Sequence, residues 1–303
     1  MRIFNGSKIF EIKARAAFLL LLALFAALSG SCGKRGAFSG PAPGIAEGRD
    51  AYDELGQFLA ERDTDAVFDE FLDRILSAAG IPDDMALKIM DAALEGPSFI
   101  LDILTCISGD PFLYALVDKD HPLPQGYAPD DLVSLAGTEG GDSYRISRNG
   151  LMLRKPAADA LEEMAAAARA EGVTLTVGST YRSYDYQVGV YSRIVGEMGQ
   201  EAADRESARP GHSQHQTGLA LDFAPIDDGF AATAGGAWVL ANAGRFGWSL
   251  SFPDGYESVT GYRWESWHYR YTGKDMVSFI DTYFGGIQQY ALRFLHEWHL
   301  AEQ

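Results

Sequence analysis

Three side chains of the kinds that bind zinc are found in or beside short apolar segments of the chain. His215 precedes Asp222 by seven residues, and His268 follows in a separate aromatic segment. Asp222 alternates with Ala220 and Ala224, whose small side chains leave room for a carboxylate to reach a metal ion. Catalytic zinc keeps three protein ligands and leaves one position open for water. The sequence therefore predicts a catalytic zinc site with His215, Asp222 and His268 as its ligands.

A general base for such a site is available at Glu265, three residues before His268. A carboxylate beside zinc can take a proton from the attacking water. Positions three apart on a strand point to opposite faces, so Glu265 must lie on a turn before the strand. Taken singly, each residue also fits a structural role, since buried polar groups are normally hydrogen-bonded. The metal hypothesis depends on their combination.

Three motifs contain these residues and resemble those of a known family. SQHQTGLALD, residues 213–222, resembles the Ser-x-His-x-x-Gly-x-Ala-x-Asp signature of the VanY-like D-alanyl-D-alanine carboxypeptidases. ESWH, residues 265–268, is similar to that family's Glu-x-Trp-His signature, and YRSYDYQ, residues 181–187, to a third block. The segment at residues 118–133 resembles the family's usual opening. The motifs occur in the family's order, and the resemblance covers roughly residues 110–285.

The resemblance implies a role for each matching residue. His215, Asp222 and His268 would hold zinc, and Glu265 would activate the attacking water. Arg182 would point at the scissile carbonyl, where a fixed guanidinium stabilises the negative charge that develops on the oxygen.

Two further residues are implied to bind substrate. Ser213 and Gln187 would contact the terminal carboxylate and the backbone of the substrate peptide. Each also has a structural alternative, because Ser213 could cap a loop and Gln187 could be an ordinary residue on a helix surface.

The motifs fall on predicted strands of a mixed fold. Strands are predicted in VTLTVGS, in GLALDFAP and in WHYRY, and alternation puts Leu221 and Asp222 on opposite faces. A helix is predicted from Pro156 up to Gly172, another after Ser183 as its cap, and two more at the C-terminus. The predicted class is α+β, with a small central antiparallel sheet flanked by helices carrying the zinc site and preceded by a helical N-terminal segment.

Composition divides the chain into five predicted parts. They are a signal peptide with a lipidation site at 1–32, a Gly- and Pro-rich flexible linker at 33–49, a helical segment at 50–109, the zinc carboxypeptidase domain at 110–285 and a C-terminal helix at 286–303. The linker composition is typical of a tether. The helical segment has helical apolar spacing but no residue that indicates chemistry.

The N-terminus has the pattern of an export signal. Basic residues precede an uncharged stretch at 16–28, which is too short to span a bilayer comfortably but suits a signal peptide. Small residues and then Cys32 follow, which resembles a bacterial lipobox, so we expect a lipid anchor at Cys32 and a location in the cell envelope. The alternative is an ordinary signal peptide with a chance cysteine. Cys106, in an apolar stretch, is expected to be buried.

Charge limits the partners of the protein. The net charge is −17, from 42 acidic and 25 basic residues, which disfavours nucleic acid and anionic headgroups as partners. The expected partner is a peptidoglycan stem peptide ending in D-Ala, and the expected activity is zinc-dependent removal of that residue. An L,D-carboxypeptidase or an endopeptidase with the same zinc site is the first alternative. A zinc- and cell-wall-binding module without catalysis is the second, although it would need neither Glu265 nor Arg182.

Overall fold

The computed structural model describes three stretches of the chain: residues 64–95, 98–135 and 143–301. The chain divides into two compact units, one comprising residues 1–104 with 293–303 and the other residues 105–292. None of the helices in the described stretches combines the length and apolar character needed to cross a membrane. The predicted signal peptide, the linker and Cys32 lie outside the described residues, and the five-part division of the chain stays a prediction.

The secondary structure consists of ten α-helices and seven short strands within the described residues. The helices are α1 (Thr64–Ala78), α2 (Asp83–Glu95), α3 (Ser98–Ile107), α4 (Lys155–Ala170), α5 (Tyr184–Met198), α6 (Gln200–Glu206), α7 (Ala234–Asn242), α8 (Glu257–Thr260), α9 (Lys274–Phe284) and α10 (Gln288–Ala301). The strands are β1 (Leu132–Ser134), β2 (Tyr144–Ile146), β3 (Met152–Arg154), β4 (Leu175–Ser179), β5 (Ala220–Phe223), β6 (Trp248–Leu250) and β7 (His268–Tyr271).

The first unit is helical where it is described. It contains α1, α2, most of α3 and the last part of α10, and its buried side chains are largely aromatic or aliphatic. The Phe71 ring meets the Trp298 ring edge to face at 5.4 Å, and Phe99 lies 5.9 Å from Phe294. Cys106, at the end of α3 and within the second unit, is buried as expected.

The second unit is built on a five-stranded sheet in the order β2-β4-β5-β7-β6. Three of its four pairings are antiparallel, which confirms the predicted α+β class with a small sheet flanked by helices. The pairing of β2 with β4 is parallel, which the sequence did not indicate. Parallel strands need a crossover, and α4 supplies it between β2 and β4. Strands β1 and β3 form a separate antiparallel pair.

The two faces of β5 serve different purposes. Leu219, Leu221 and Phe223 are fully buried in the core, together with side chains of β4 and α4. Burial of each such side chain contributes roughly 1.5–3 kcal/mol, so this face fixes the position of the strand. Asp222 alternates with these residues and points to the opposite face, as predicted.

The predicted helix signals act as expected. Pro156 lies in the first turn of α4, and Gly172 follows its end with a φ of +81°. The Ser183 hydroxyl accepts a hydrogen bond of 3.1 Å from the Tyr186 amide and so caps α5. The two helices predicted at the C-terminus are α9 and α10.

Candidate metal centre and catalytic site

The sheet brings the three predicted metal ligands together. Strands β5 and β7 pair with Asp222 directly opposite His268, and His215 lies on the 3₁₀ turn at Gln214–Thr217 that leads into β5. One ligand atom from each of the three residues lies within 4.8 Å of the others, and all three side chains are buried. This is the one such group of three potential metal ligands among the residues that the structure describes.

The local sequence holds His215 in place. The Ser213 hydroxyl accepts a hydrogen bond from the His215 amide, and the His215 carbonyl accepts one from the Arg182 amide. Gly218 then turns the chain into β5 with a φ of +71°. A Cβ at this position would lie 2.8 Å from the Arg154 Cγ, so both conformation and space require glycine.

The hydrogen bonding of His215 shows that the site suits a cation. Its Nδ1 lies 2.8 Å from the Thr180 carbonyl oxygen, which can only accept, so Nδ1 carries the hydrogen and Nε2 is a bare acceptor. Burial, together with the charge of Arg182, lowers the pKa of His215 to about 4, so the ring is neutral at pH 7. Its Nε2 nevertheless lies 3.2 Å from the Asp222 Oδ2. Two acceptors at this distance need a cation between them.

The Asp222 carboxylate is the centre of the group. Burial alone would raise its pKa, but the adjacent His215 and His268 rings hold the pKa of Asp222 well below its usual range. Its Oδ1 lies 3.0 Å from the His268 Nδ1, and its Oδ2 lies 3.4 Å from the Arg182 Nη2. The His215 Nε2 and Asp222 Oδ1 are buried without a hydrogen-bond partner. Two imidazoles and a carboxylate with unsatisfied acceptors are a donor set that fits zinc.

Glu265 lies on a tight turn before β7, as the sequence required. The His268 amide donates to the Glu265 carbonyl across this turn, and the Glu265 carboxylate Oε2 lies 3.6 Å from the His268 Nδ1. Burial, and then the negative charge of Asp222, raise the pKa of Glu265 to about 8. A carboxyl group with such a pKa can exchange a proton near neutral pH.

The raised pKa of Glu265 makes a prediction about stability. In chelator-treated protein the unfolded chain ionises Glu265 near pH 4.5, whereas the folded protein keeps the proton up to about pH 8. The free energy of unfolding therefore falls as the pH rises between these values. Glutamine cannot ionise, so we expect chelator-treated Glu265→Gln to be more stable than wild type at pH 8 by at least about 1 kcal/mol.

Urea unfolding at several pH values measures this difference. Groups common to both proteins cancel, so the difference reports on Glu265 alone, and it should vanish below about pH 4.5. A constant difference across the whole range would show that the pKa of Glu265 is not raised.

Arg182 and Gln187 lie side by side in the site. The Arg182 Nη1 donates to the Gln187 Oε1 at 3.1 Å, while the Gln187 Nε2 donates to the Ala208 carbonyl and the Ser207 hydroxyl. Gln187 is 1% exposed, so the helix-surface alternative is wrong. Its amide is used within the protein and orients Arg182, while its role in substrate binding stays a prediction.

Ser213 has features of both of its predicted roles. It caps the 3₁₀ turn, which confirms the loop-cap alternative, and it also lines the cleft over the metal ligands. Contact with substrate stays a prediction.

The site opens into a cleft of about 330 Å³. The potential metal ligands, Glu265 and Arg182 line it, together with an apolar set from α5: Val190, Ile194 and Met198. Sequence reasoning missed this apolar set and also Tyr262, whose buried hydroxyl has no hydrogen-bond partner. The sequence signal that could have identified Tyr262 is its position, three residues before the predicted base Glu265.

Comparison with known proteins agrees with this geometry. The family model VanY, described as D-alanyl-D-alanine carboxypeptidase, matches residues 150–274, which include every residue given a catalytic or metal-binding role above. The putative carboxypeptidase YodJ of Bacillus subtilis (strain 168) is 38% identical over 186 residues, which are 59% of this chain and 67% of YodJ.

Two solved structures are similar to this chain in sequence and fold. The LD-carboxypeptidase LdcB is 36% identical with a TM-score of 0.51, covering 58% of this chain and 86% of LdcB. A mutant of the D,D-pentapeptidase VanY from a VanB-type resistance cassette, in complex with Zn(II), is 29% identical with a TM-score of 0.50. That match covers 60% of this chain and 99% of the other.

Fold, site and relatives together define a hydrolase of the carboxypeptidase class. The chain belongs to the VanY-like D-alanyl-D-alanine carboxypeptidase family. The resemblance found in the three sequence motifs is thereby confirmed.

Proposed function

We propose that this protein is a zinc-dependent carboxypeptidase that removes the terminal D-Ala from peptidoglycan stem peptides. The observation that carries the proposal is the buried group of His215, Asp222 and His268, whose acceptor atoms face one another beside Glu265 and Arg182. A similar solved structure, the VanY D,D-pentapeptidase, contains Zn(II). Zinc held by these three residues would act as a Lewis acid and make the attacking water more acidic.

The residues around the metal ligands can carry out the proton transfers of peptide hydrolysis and stabilise the negative charge that develops. Glu265, whose carboxylate lies beside the His268 ligand, accepts the proton of the attacking water and then gives it to the leaving amine. Arg182, fixed by Gln187, supplies positive charge where the carbonyl oxygen becomes negative. The reaction adds one water and yields the shortened peptide and a free amino acid.

An L,D-carboxypeptidase is the second candidate, and a specific observation favours it. The chain is 36% identical to the LD-carboxypeptidase LdcB but 29% identical to the VanY D,D-pentapeptidase. The two candidate activities act on the same class of substrate, a stem peptide with a free carboxyl end, and differ in the bond that is cut. Tetrapeptide and pentapeptide substrates distinguish the two activities.

A carboxypeptidase must recognise the free carboxylate of its substrate, and this gives a test of the proposal. Arg182 and Ser213 are hydrogen-bond donors in the cleft close to the metal ligands. Amidating the C-terminus of a pentapeptide removes the charge that such donors bind. We expect amidation to lower kcat/KM by at least about tenfold, or about 1.4 kcal/mol, a modest loss for a charge-assisted hydrogen bond.

The comparison uses the acid and the amide of one peptide with the purified protein. Acetylating the N-terminus of the same peptide serves as the control, since it removes a charge at the other end. Equal cleavage of acid and amide, or cuts at internal bonds only, would indicate an endopeptidase.

We further propose that the protein is exported and held at the membrane by a lipid on Cys32. The support is the sequence alone: a basic start, an uncharged stretch and small residues before Cys32. Wild-type protein should then be found in the membrane fraction and Cys32→Ser protein in the soluble fraction. Equal solubility of the two after export would mean an ordinary signal peptide.

A further inference from the structure

A chain of buried amide side chains runs from His268 to the backbone of β6. The His268 Nε2 lies 3.2 Å from the Gln214 Oε1, and the Gln214 Nε2 donates at 3.4 Å to the Gln288 Oε1. The Gln288 Nε2 in turn donates at 3.3 Å to the Ser249 carbonyl. Both glutamines are less than 5% exposed. The Ser251 hydroxyl donates to the Gln214 Oε1 at 2.7 Å.

The Ser249 carbonyl fixes the direction of the hydrogen bonds that link Gln288, Gln214 and His268. A carbonyl can only accept, so Gln288 must present its NH₂ group to it and its oxygen to Gln214. Gln214 must then present its own NH₂ group to Gln288 and its oxygen to His268. Turning either amide over would place two oxygens or two NH₂ groups face to face.

His268 is the last member of this series of hydrogen-bonded side chains, so the series also determines which ring nitrogen of His268 carries the hydrogen. Because the Gln214 oxygen accepts, the His268 Nε2 carries the hydrogen and Nδ1 is left as a bare acceptor. That Nδ1 is the atom 3.0 Å from the Asp222 carboxylate. We propose that Gln214 and Gln288 are positioning residues that hold His268 in the tautomer able to bind a metal ion through Nδ1. This inference rests on the proposed metal site.

The two histidines of the site therefore differ in how they are oriented. His215 is oriented directly by the Thr180 carbonyl, without an intervening side chain. His268 depends on two glutamines that stand 74 residues apart in the sequence. A change at Gln288, which does not contact His268, should consequently reach the metal site through Gln214.

The substitution Gln288→Met tests the proposal, because methionine has a similar length but can neither donate nor accept in place of the amide. The Gln214 amide then keeps only the Ser251 hydroxyl as a neighbour, and because a hydroxyl can accept as well as donate, Gln214 can turn over and present its NH₂ group to His268. We expect zinc affinity, measured by competition with a chelator, to fall about 10- to 100-fold, the usual effect of losing a residue that orients a metal ligand.

Nuclear magnetic resonance of zinc-loaded protein with ¹⁵N-labelled histidine reads directly which ring nitrogen carries the hydrogen. Wild-type His268 should carry it on Nε2 alone, and Gln288→Met, which holds zinc less tightly, should show a second population with the hydrogen on Nδ1. This measurement on wild type needs no variant. A hydrogen on Nδ1 of wild-type His268 would overturn the proposal.

Gln289→Met is the matched control. Gln289 is the next residue of α10, is equally buried, and donates at 2.7 Å to the Asp118 Oδ2 instead of to the chain that ends at His268. It should lose a comparable amount of thermal stability and keep the zinc affinity and the His268 tautomer of wild type. Equal loss of zinc affinity in the two variants would reduce Gln288 to a structural residue and overturn the proposal.

The outcomes separate this inference from the proposed function. If wild type binds zinc and Gln288→Met binds it equally tightly, the inference is refuted but the proposed metal site is not. Wild type that binds no zinc refutes the metal site, whatever the histidine spectra show. Should Gln288→Met fail to fold, Gln214→Met removes the acceptor that contacts His268 directly, and the same two readouts apply.

Discussion

Replacing Glu265 by glutamine is expected to lower kcat by two to four orders of magnitude while zinc stays bound, because that is the usual worth of a positioned general base. The substitution keeps the shape of a partly buried side chain but removes its ability to take up a proton. The metal ligands are untouched, so zinc content should remain near one ion per chain. Steady-state kinetics on a stem peptide and metal analysis of the same sample measure both quantities.

Glu206→Gln is a suitable control for this experiment. Glu206 also lines the cleft, but its carboxylate is paired with Arg263 and does not lie beside the metal ligands. The control should keep kcat within a few-fold of wild type. If Glu265→Gln does the same, Glu265 has no part in the mechanism.

Loss of the metal is expected to have at least as large an effect. Polarising a carbonyl and activating water are each worth several kcal/mol, so the chelated protein should lose more than two orders of magnitude in kcat/KM. One equivalent of zinc should restore the activity of wild type. His268→Ala removes one of three ligands, and it should bind zinc weakly and regain little activity.

His121→Ala is the matched histidine variant. Its ring is paired with Asp118 and lies outside the cleft, so zinc content and activity should match those of wild type. Wild-type protein that is fully active after exhaustive chelation, or that never binds zinc, would contradict the metal hypothesis.

The sequence predicts the chemistry of the site better than the contacts that support it. Alternation alone places Asp222 on the face of β5 opposite Leu221, because strand periodicity is local. That His268 is its cross-strand partner depends on register, which the spacing along the chain does not determine. The resemblance to the family's motifs, and not the spacing, indicated that Asp222 and His268 belong to one metal site.

Contacts between distant residues explain what could not be predicted. The helix-surface alternative for Gln187 was wrong because Ser207 and Ala208, from a later part of the chain, accept hydrogen bonds from its buried side chain. The link from Gln214 to Gln288 likewise joins a loop to a helix 74 residues away. The parallel pairing of β2 was missed because three residues, Tyr144–Ile146, are too short for a strand pattern to be recognised.

The central claim is that this protein removes a single residue from the free carboxyl end of a stem peptide, and mass spectrometry tests it most directly. Defined tetrapeptide and pentapeptide muropeptides would be incubated with zinc-loaded protein and, in parallel, with Glu265→Gln. The account predicts that wild type shortens the pentapeptide by one D-Ala, leaves the tetrapeptide intact and releases no internal fragment. Cleavage of the tetrapeptide would reassign the protein as an L,D-carboxypeptidase, and internal cleavage or equal products from Glu265→Gln would contradict the account.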